Sequence, residues 1–147
     1  MLALARGIGG SEFLGPALHT EANLELARGN AAAGRQALRE AVEIAPEEDL
    51  SHLLPMTPTA ARLLPNEEAE RLLERVRALP SLPLSDAYRS EATAVLNGDR
   101  TGLIEAAGLY RQVEMPYEEA RCLASAADRE AASAIYDRLE IPPPSTL

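Results

Sequence analysis

The chain has 147 residues, of which 46% are hydrophobic, and a formal net charge of −9. That much apolar material excludes wholesale disorder, and the length fits one domain. The excess of carboxylates argues against direct nucleic-acid binding, which needs clustered cations to release phosphate counterions, and against docking on anionic membranes.

Aromatic residues make up 3% of the chain, with Phe13 the one phenylalanine and no tryptophan. Strands favour aromatic and β-branched residues, whereas this chain is built from Ala, Leu, Glu and Arg, which favour helices. An all-α fold is therefore expected. The single cysteine, Cys122, leaves no intrachain disulfide and no cysteine-built metal site, which suits a reducing cytoplasm. The first residues lack the basic start and cleavage site of a secretory leader, and no window is apolar for long enough to span a bilayer.

In chain order, residues 1–10 come first, where Met1, Leu2, Leu4 and Ile8 read as the last turns of a partial helix. A helical hairpin is expected over 11–46. Leu18, Ala22, Leu26 and Ala27 recur at helical spacing, and Gly29-Asn30 breaks the run. Gly34, Ala37, Leu38, Ala41, Val42 and Ala45 form the inward stripe of a second helix, which Pro46 stops. Over 47–80, Asp49 or Ser51 caps a helix carrying Leu50, Leu53 and Leu54. Pro55 and Pro58 then kink or split it before Ala60, Ala61, Leu63 and Leu64. Asn66 reads as the N-cap of the next helix, Glu67 to Leu79, with Ala69, Leu72, Leu73 and Val76 inward.

Over 81–116, Ser85 or Asp86 opens a helix carrying Ala87, Tyr88, Ala92, Val95 and Leu96. Asn97-Gly98-Asp99 reads as a helix–helix turn, because both flanks have helical rather than alternating patterns. Leu103, Ile104, Ala107, Leu109, Tyr110 and Val113 follow, and Pro116 is expected to end that helix. The last hairpin, 117–141, pairs Tyr117 to Ala126 with Glu130 to Leu139, and residues 142–147 form a Pro-rich tail. Helical hairpins recurring at roughly thirty-odd residues are the pattern of a stacked array.

Residues Leu18 to Pro46 resemble a tetratricopeptide repeat. Ala22 stands at that motif's small position on the first helix, and Gly29-Asn30 at its turn. Gly34 and Leu38 stand at the small and large apolar positions of the second helix, and Ala41 and Pro46 at the later alanine and closing proline. Small residues there let the two helices approach closely. Glu21 and Glu25 depart from the leucine and tyrosine usual on the first helix. Ala69 and Leu73, and Ala120 and Ala132, occupy similar places in the second and fourth hairpins, while the third is degenerate. Over the whole chain the pattern is similar to the helical-repeat region of large bacterial regulators carrying LuxR-type or cyclase domains. The stretches Ala107 to Arg111 and Pro116 to Arg121 carry that likeness most.

The resemblance implies tandem antiparallel helix pairs stacked as a right-handed solenoid within a single domain. It also implies a non-catalytic scaffold that binds a protein or peptide on its concave face. The alternative it leaves is a sensing or regulatory module of a bacterial transcription system without its own DNA-binding domain. No phosphate-binding loop ending in Lys is expected, since every basic residue is Arg, and no cofactor is expected. A solenoid that starts abruptly leaves apolar surface at its end, so homo-oligomers are a further expectation.

Arg62, Tyr88, Arg89 and Arg121 fall on the first helices of their pairs, and Tyr and Arg are enriched at binding hot spots. They read as contacts of a peptide groove; the plainer alternative is packing for Tyr88 and ordinary surface for the arginines. His52 with Glu48 and Asp49 is a weak cation motif, and solvent-facing polar roles suit both histidines, His19 and His52, better. Cys122 reads as a packed thiol. Glu47-Glu48-Asp49, Glu67-Glu68 and Glu118-Glu119 lie at helix beginnings, where carboxylates favour the macrodipole, rather than forming acid–base pairs.

Overall fold

The structure is a computed structural model and describes residues 11–143. The partial helix read over residues 1–10 and the end of the tail lie outside them. The described residues are helical, with no strand among them, and the chain divides into two compact units at Leu79/Pro80. That division falls one residue before the end of the second expected hairpin, 47–80.

The first unit contains α1 (Ser11–Ala27), α2 (Ala31–Glu43), a 3-10 helix (Leu50–Met56), α3 (Thr57–Leu63) and α4 (Asn66–Val76). Successive α-helices pack on one another. Leu18 and Ala22 of α1, Leu38 and Ala41 of α2, Leu53 and Met56 of the 3-10 turn, and Ala60, Leu63, Leu72 and Val76 beyond are all buried. Gly34 marks a close approach. A Cβ there would stand 3.2 Å from the Ala22 carbonyl oxygen and 3.2 Å from Leu63 Cδ1. The small residue singled out in the sequence therefore lets two backbones meet.

The prolines act as expected in the second hairpin and differently in the later ones. Pro55 stays within the 3-10 helix and Pro58 opens α3, so the expected helix is split in two, with Asp49 accepting from the Ser51 amide at its start. Asn66 is not a side-chain cap: it lies inside α4, Pro65 occupies the cap position, and the helix ends at Val76 rather than Leu79. Pro65 and Pro83 fix φ near the helical value, which suits a helix entrance. The third hairpin accordingly starts at Pro83, ahead of the expected Ser85 or Asp86. Pro116 likewise begins a helix instead of terminating one.

The second unit contains α5 (Pro83–Asn97), α6 (Arg100–Gln112), α7 (Pro116–Ser125) and α8 (Arg129–Leu139), each packed on the next. Its core is alanine-rich, with Ala87, Ala106, Ala107, Ala120 and Ala132 around Tyr110, Leu123 and Tyr136. Alanines at these positions let helices close up around the few large side chains.

One turn recurs through both units. At Gly29, Gly98, Glu114 and Ala127 the backbone enters the left-handed region, with φ of 77°, 62°, 58° and 63°. The following amide reaches back to the helix just finished: Asn30 to Glu25 O at 2.8 Å, Asp99 to Ala94 O at 2.8 Å, Met115 to Tyr110 O at 3.0 Å and Asp128 to Leu123 O at 2.9 Å. This satisfies carbonyls left open at a helix end. Asn30 and Asp128 then accept from the third residue of the next helix, so one short segment ends one helix and caps another.

Candidate functional site

Tyr88 and Arg89 lie on α5, Arg121 on α7, and Arg62 on α3 in the other unit. All four are partly exposed, and each arginine holds a bond inside its own unit. Arg62 donates from Nη1 to Pro58 O at 3.0 Å. Arg89 donates from Nη1 to Asp86 Oδ1 at 3.3 Å and from Nη2 to Pro80 O at 3.0 Å, while Ser81 Oγ donates to Asp86 Oδ2 at 2.6 Å. Arg89 thus ties the start of α5 to the segment before it.

Arg121 is engaged most deeply. Its Nε donates to Glu91 Oε1 at 2.8 Å and its Nη2 to Glu91 Oε2 at 2.6 Å, the two-pronged geometry of a strong charge-assisted pair. Tyr110 donates its hydroxyl to Glu91 Oε2 at 2.6 Å. The carboxylate is fully buried, and Arg121 keeps 14% of its side-chain exposure. One carboxylate on α5 therefore joins a phenol on α6 to a guanidinium on α7. Burial, reinforced by the Glu91 charge, pushes the Tyr110 phenol well above its ordinary range. Desolvation pulls the Arg121 guanidinium down, but the charge and hydrogen bonds of Glu91 together outweigh it and leave it raised.

Tyr88 packs edge-on against Tyr110, with ring centroids 5.7 Å apart and planes at 75°. Burial raises its phenol, and the Glu118 charge raises it further. Burial also lifts the Glu118 carboxyl, a rise that nearby Arg121 offsets in part. Tyr88, Glu118 and Arg121 thus share one electrostatic neighbourhood between α5 and α7. Three of the four predicted residues sit in this unit, two of them around the same buried carboxylate.

Glu91 itself escaped the sequence reading. The signal was its register: Ala87, Glu91 and Ala94 follow one helical face, and all three are buried. A carboxylate in an alanine stripe demands a partner. Glu119 carries the same lesson, since it is buried and accepts from Arg111 Nε at 2.7 Å across the α6–α7 turn. Both Glu118 and Glu119 nevertheless lie in the first turn of α7, as do Glu67 and Glu68 in α4.

His19 is not a solvent-facing residue. Its Nε2 lies 3.0 Å from Thr59 Oγ1 and 3.1 Å from Asn23 Nδ2, and Thr59 donates to Asn23 Oδ1 at 2.8 Å, linking α1 to α3. His52 faces Asp49 at 3.3 Å. No group of three His, Cys, Asp or Glu side chains among the described residues is arranged to hold a metal ion. Cys122 is buried, as its packed setting suggested. No helix among the described residues is long and apolar enough to cross a membrane. No family model matches the chain, and neither a curated protein nor a solved structure was found to be similar to it.

Proposed function

We propose that this chain is a tetratricopeptide-like helical repeat acting as a non-catalytic adaptor, which recruits a protein or peptide through side chains on the first helices of its pairs. The observation that carries this reading is the recurring turn with its register of flanking residues. Ala22 and Ala120 stand equally far before the turn residues Gly29 and Ala127, and Gly34 and Ala132 equally far after them. In the third pair the turn is Gly98, and the matching first-helix position holds Glu91. There the small contact is replaced by a buried hydrogen-bonded one, which accounts for the degenerate look of that hairpin.

Tyr88 and Arg89 are the contact residues of the second unit in this reading, supported by Arg121, which fixes α7 to α5, and Arg62 is a separate contact on the first unit. Each arginine already holds an internal bond, and such restraint lowers the ordering cost of binding. The test is comparative affinity capture from the native organism, using the intact chain and a Tyr88→Ala/Arg89→Ala variant of equal thermal stability. A partner retained by the former and lost by the latter supports the reading. Equal retention removes Tyr88 and Arg89 from the interface.

A further inference from the structure

A second surface lies wholly within the first unit, on its second helices. α2, α4 and the segments after α2 and α3 enclose a groove of about 290 Å³. Its apolar lining is Val42, Ala45, Leu64 and Leu72, of which Ala45 and Leu72 are buried and Val42 and Leu64 half-buried. The volume is at or just below the small end of the roughly 300–1,000 Å³ range for ligand pockets. It suits one or two aliphatic side chains of a longer ligand.

The charges around this groove do not cancel. Arg39 donates from Nε to Glu68 Oε2 at 3.0 Å and from Nη2 to Glu68 Oε1 at 2.7 Å, so this pair satisfies itself across α2 and α4. That leaves Glu43, Glu47 and Arg75. None of the three takes part in an ion pair among the described residues. Two carboxylates stand against one guanidinium, in a chain whose net charge of −9 deepens the negative potential.

The placement of Glu43 points the same way. It is the last residue of α2, which has no basic residue in its last turn. A helix C-terminus is negative already and favours cations, so this acid opposes its own helix. A cation brought by a ligand relieves that conflict, and the apolar lining beside it gives the same ligand somewhere to bury a side chain.

We infer that the groove seats an aliphatic side chain of an extended peptide whose neighbouring residue is lysine or arginine, with Glu43 and Glu47 receiving the cation. This site is distinct from the Tyr88 and Arg89 contacts and does not rest on them. The test titrates the full chain into three fluorescein-labelled synthetic peptides: one alternating leucine and lysine, one with glutamate replacing lysine, and one with serine replacing leucine. The leucine–lysine peptide should saturate, and the other two should bind more weakly. Glu43→Gln with Glu47→Gln should weaken it by roughly three- to tenfold, as expected for two partly screened pairs. Val42→Asp should remove binding; because Val42 is half-buried, the carboxylate variant, which leaves the apolar lining intact, carries the decision if that protein is unstable.

Absence of saturable binding overturns the inference. Equal binding of the glutamate peptide also overturns it, since Arg75 would then dominate. So does equal binding of the serine peptide, which would mean charge alone. A chain that sediments as a dimer, broken by Val42→Asp and untouched by the carboxylate variant, assigns the groove to a second copy instead. Loss of peptide binding only in Tyr88→Ala/Arg89→Ala overturns this site while supporting the other.

Discussion

Replacing Arg121 with methionine isolates what the buried carboxylate requires. The substitution keeps much of the aliphatic stem but removes the guanidinium that pairs with Glu91, at 0% exposure, while the Tyr110 hydroxyl bond stays in place. Removing one partner of a buried ion pair costs about 3–5 kcal/mol, because the surviving charge stays desolvated. A small domain has only about 5–15 kcal/mol in total, so the loss consumes much of what holds the second unit together. Removing both charges has a different consequence. Glu91→Leu with Arg121→Met eliminates the desolvation cost along with the attraction but leaves the buried Tyr110 hydroxyl without its carboxylate, so the pair of changes should cost about 1–3 kcal/mol, less than Arg121→Met alone. Tyr110→Phe keeps the ring and deletes one hydrogen bond to a charged group, at about 1.5–3 kcal/mol. The assay is urea unfolding followed by tyrosine emission. The four tyrosines, Tyr88, Tyr110, Tyr117 and Tyr136, all lie in the second unit and there is no tryptophan, so the signal reports that unit alone. The reasoning fails if Arg121→Met costs less than about 1 kcal/mol, or if the double variant is no more stable than the single one.

Gly34→Val should destabilise the first unit by about 1–3 kcal/mol in far-ultraviolet unfolding curves, because the Ala22 carbonyl leaves no room for the new side chain. Gly108→Ala, where an added Cβ meets nothing within 4 Å, should instead stabilise α6 by up to about 1 kcal/mol. Ala127→Gly should raise the tyrosine-detected midpoint, since the φ of 63° strains an alanine at a cost of about 1–2 kcal/mol, partly offset by the greater freedom of unfolded glycine. The hydrogen bonds and charge of Arg39 hold the Glu68 carboxyl below its ordinary range. Its contribution is therefore present above the unfolded-state pKa and is lost as pH falls through the lower folded value. The stability difference between the parent and Glu68→Gln should shrink across that acidic window, as read by unfolding at several pH values.

Helix positions were legible because prolines, glycines and apolar spacing are local signals. Gly29-Asn30 and Asn97-Gly98-Asp99 announce their turns outright. The turns at Glu114 and Ala127 are quieter, because non-glycine residues occupy the left-handed position there and no glycine marks them. The starts of α4, α5 and α7 were misread for a related reason: proline both excludes a helix interior and suits a helix entrance, and spacing alone does not separate the two. The buried network was half legible. Arg121 and Tyr88 stand out as residue types, but Glu91 is recognised only when its place in the alanine stripe is read as a cost requiring compensation. The His19–Thr59 contact joins residues far apart in sequence, and no local pattern encodes it.

Hydrogen exchange of the full chain with and without a captured partner tests the adaptor reading most directly. Protection should rise in 83–97 and 116–125, the helices bearing Tyr88 and Arg121, and stay unchanged along 100–112 and 129–139. Protection confined to the second helices, or none in the second unit at all, would contradict recruitment through the first helices.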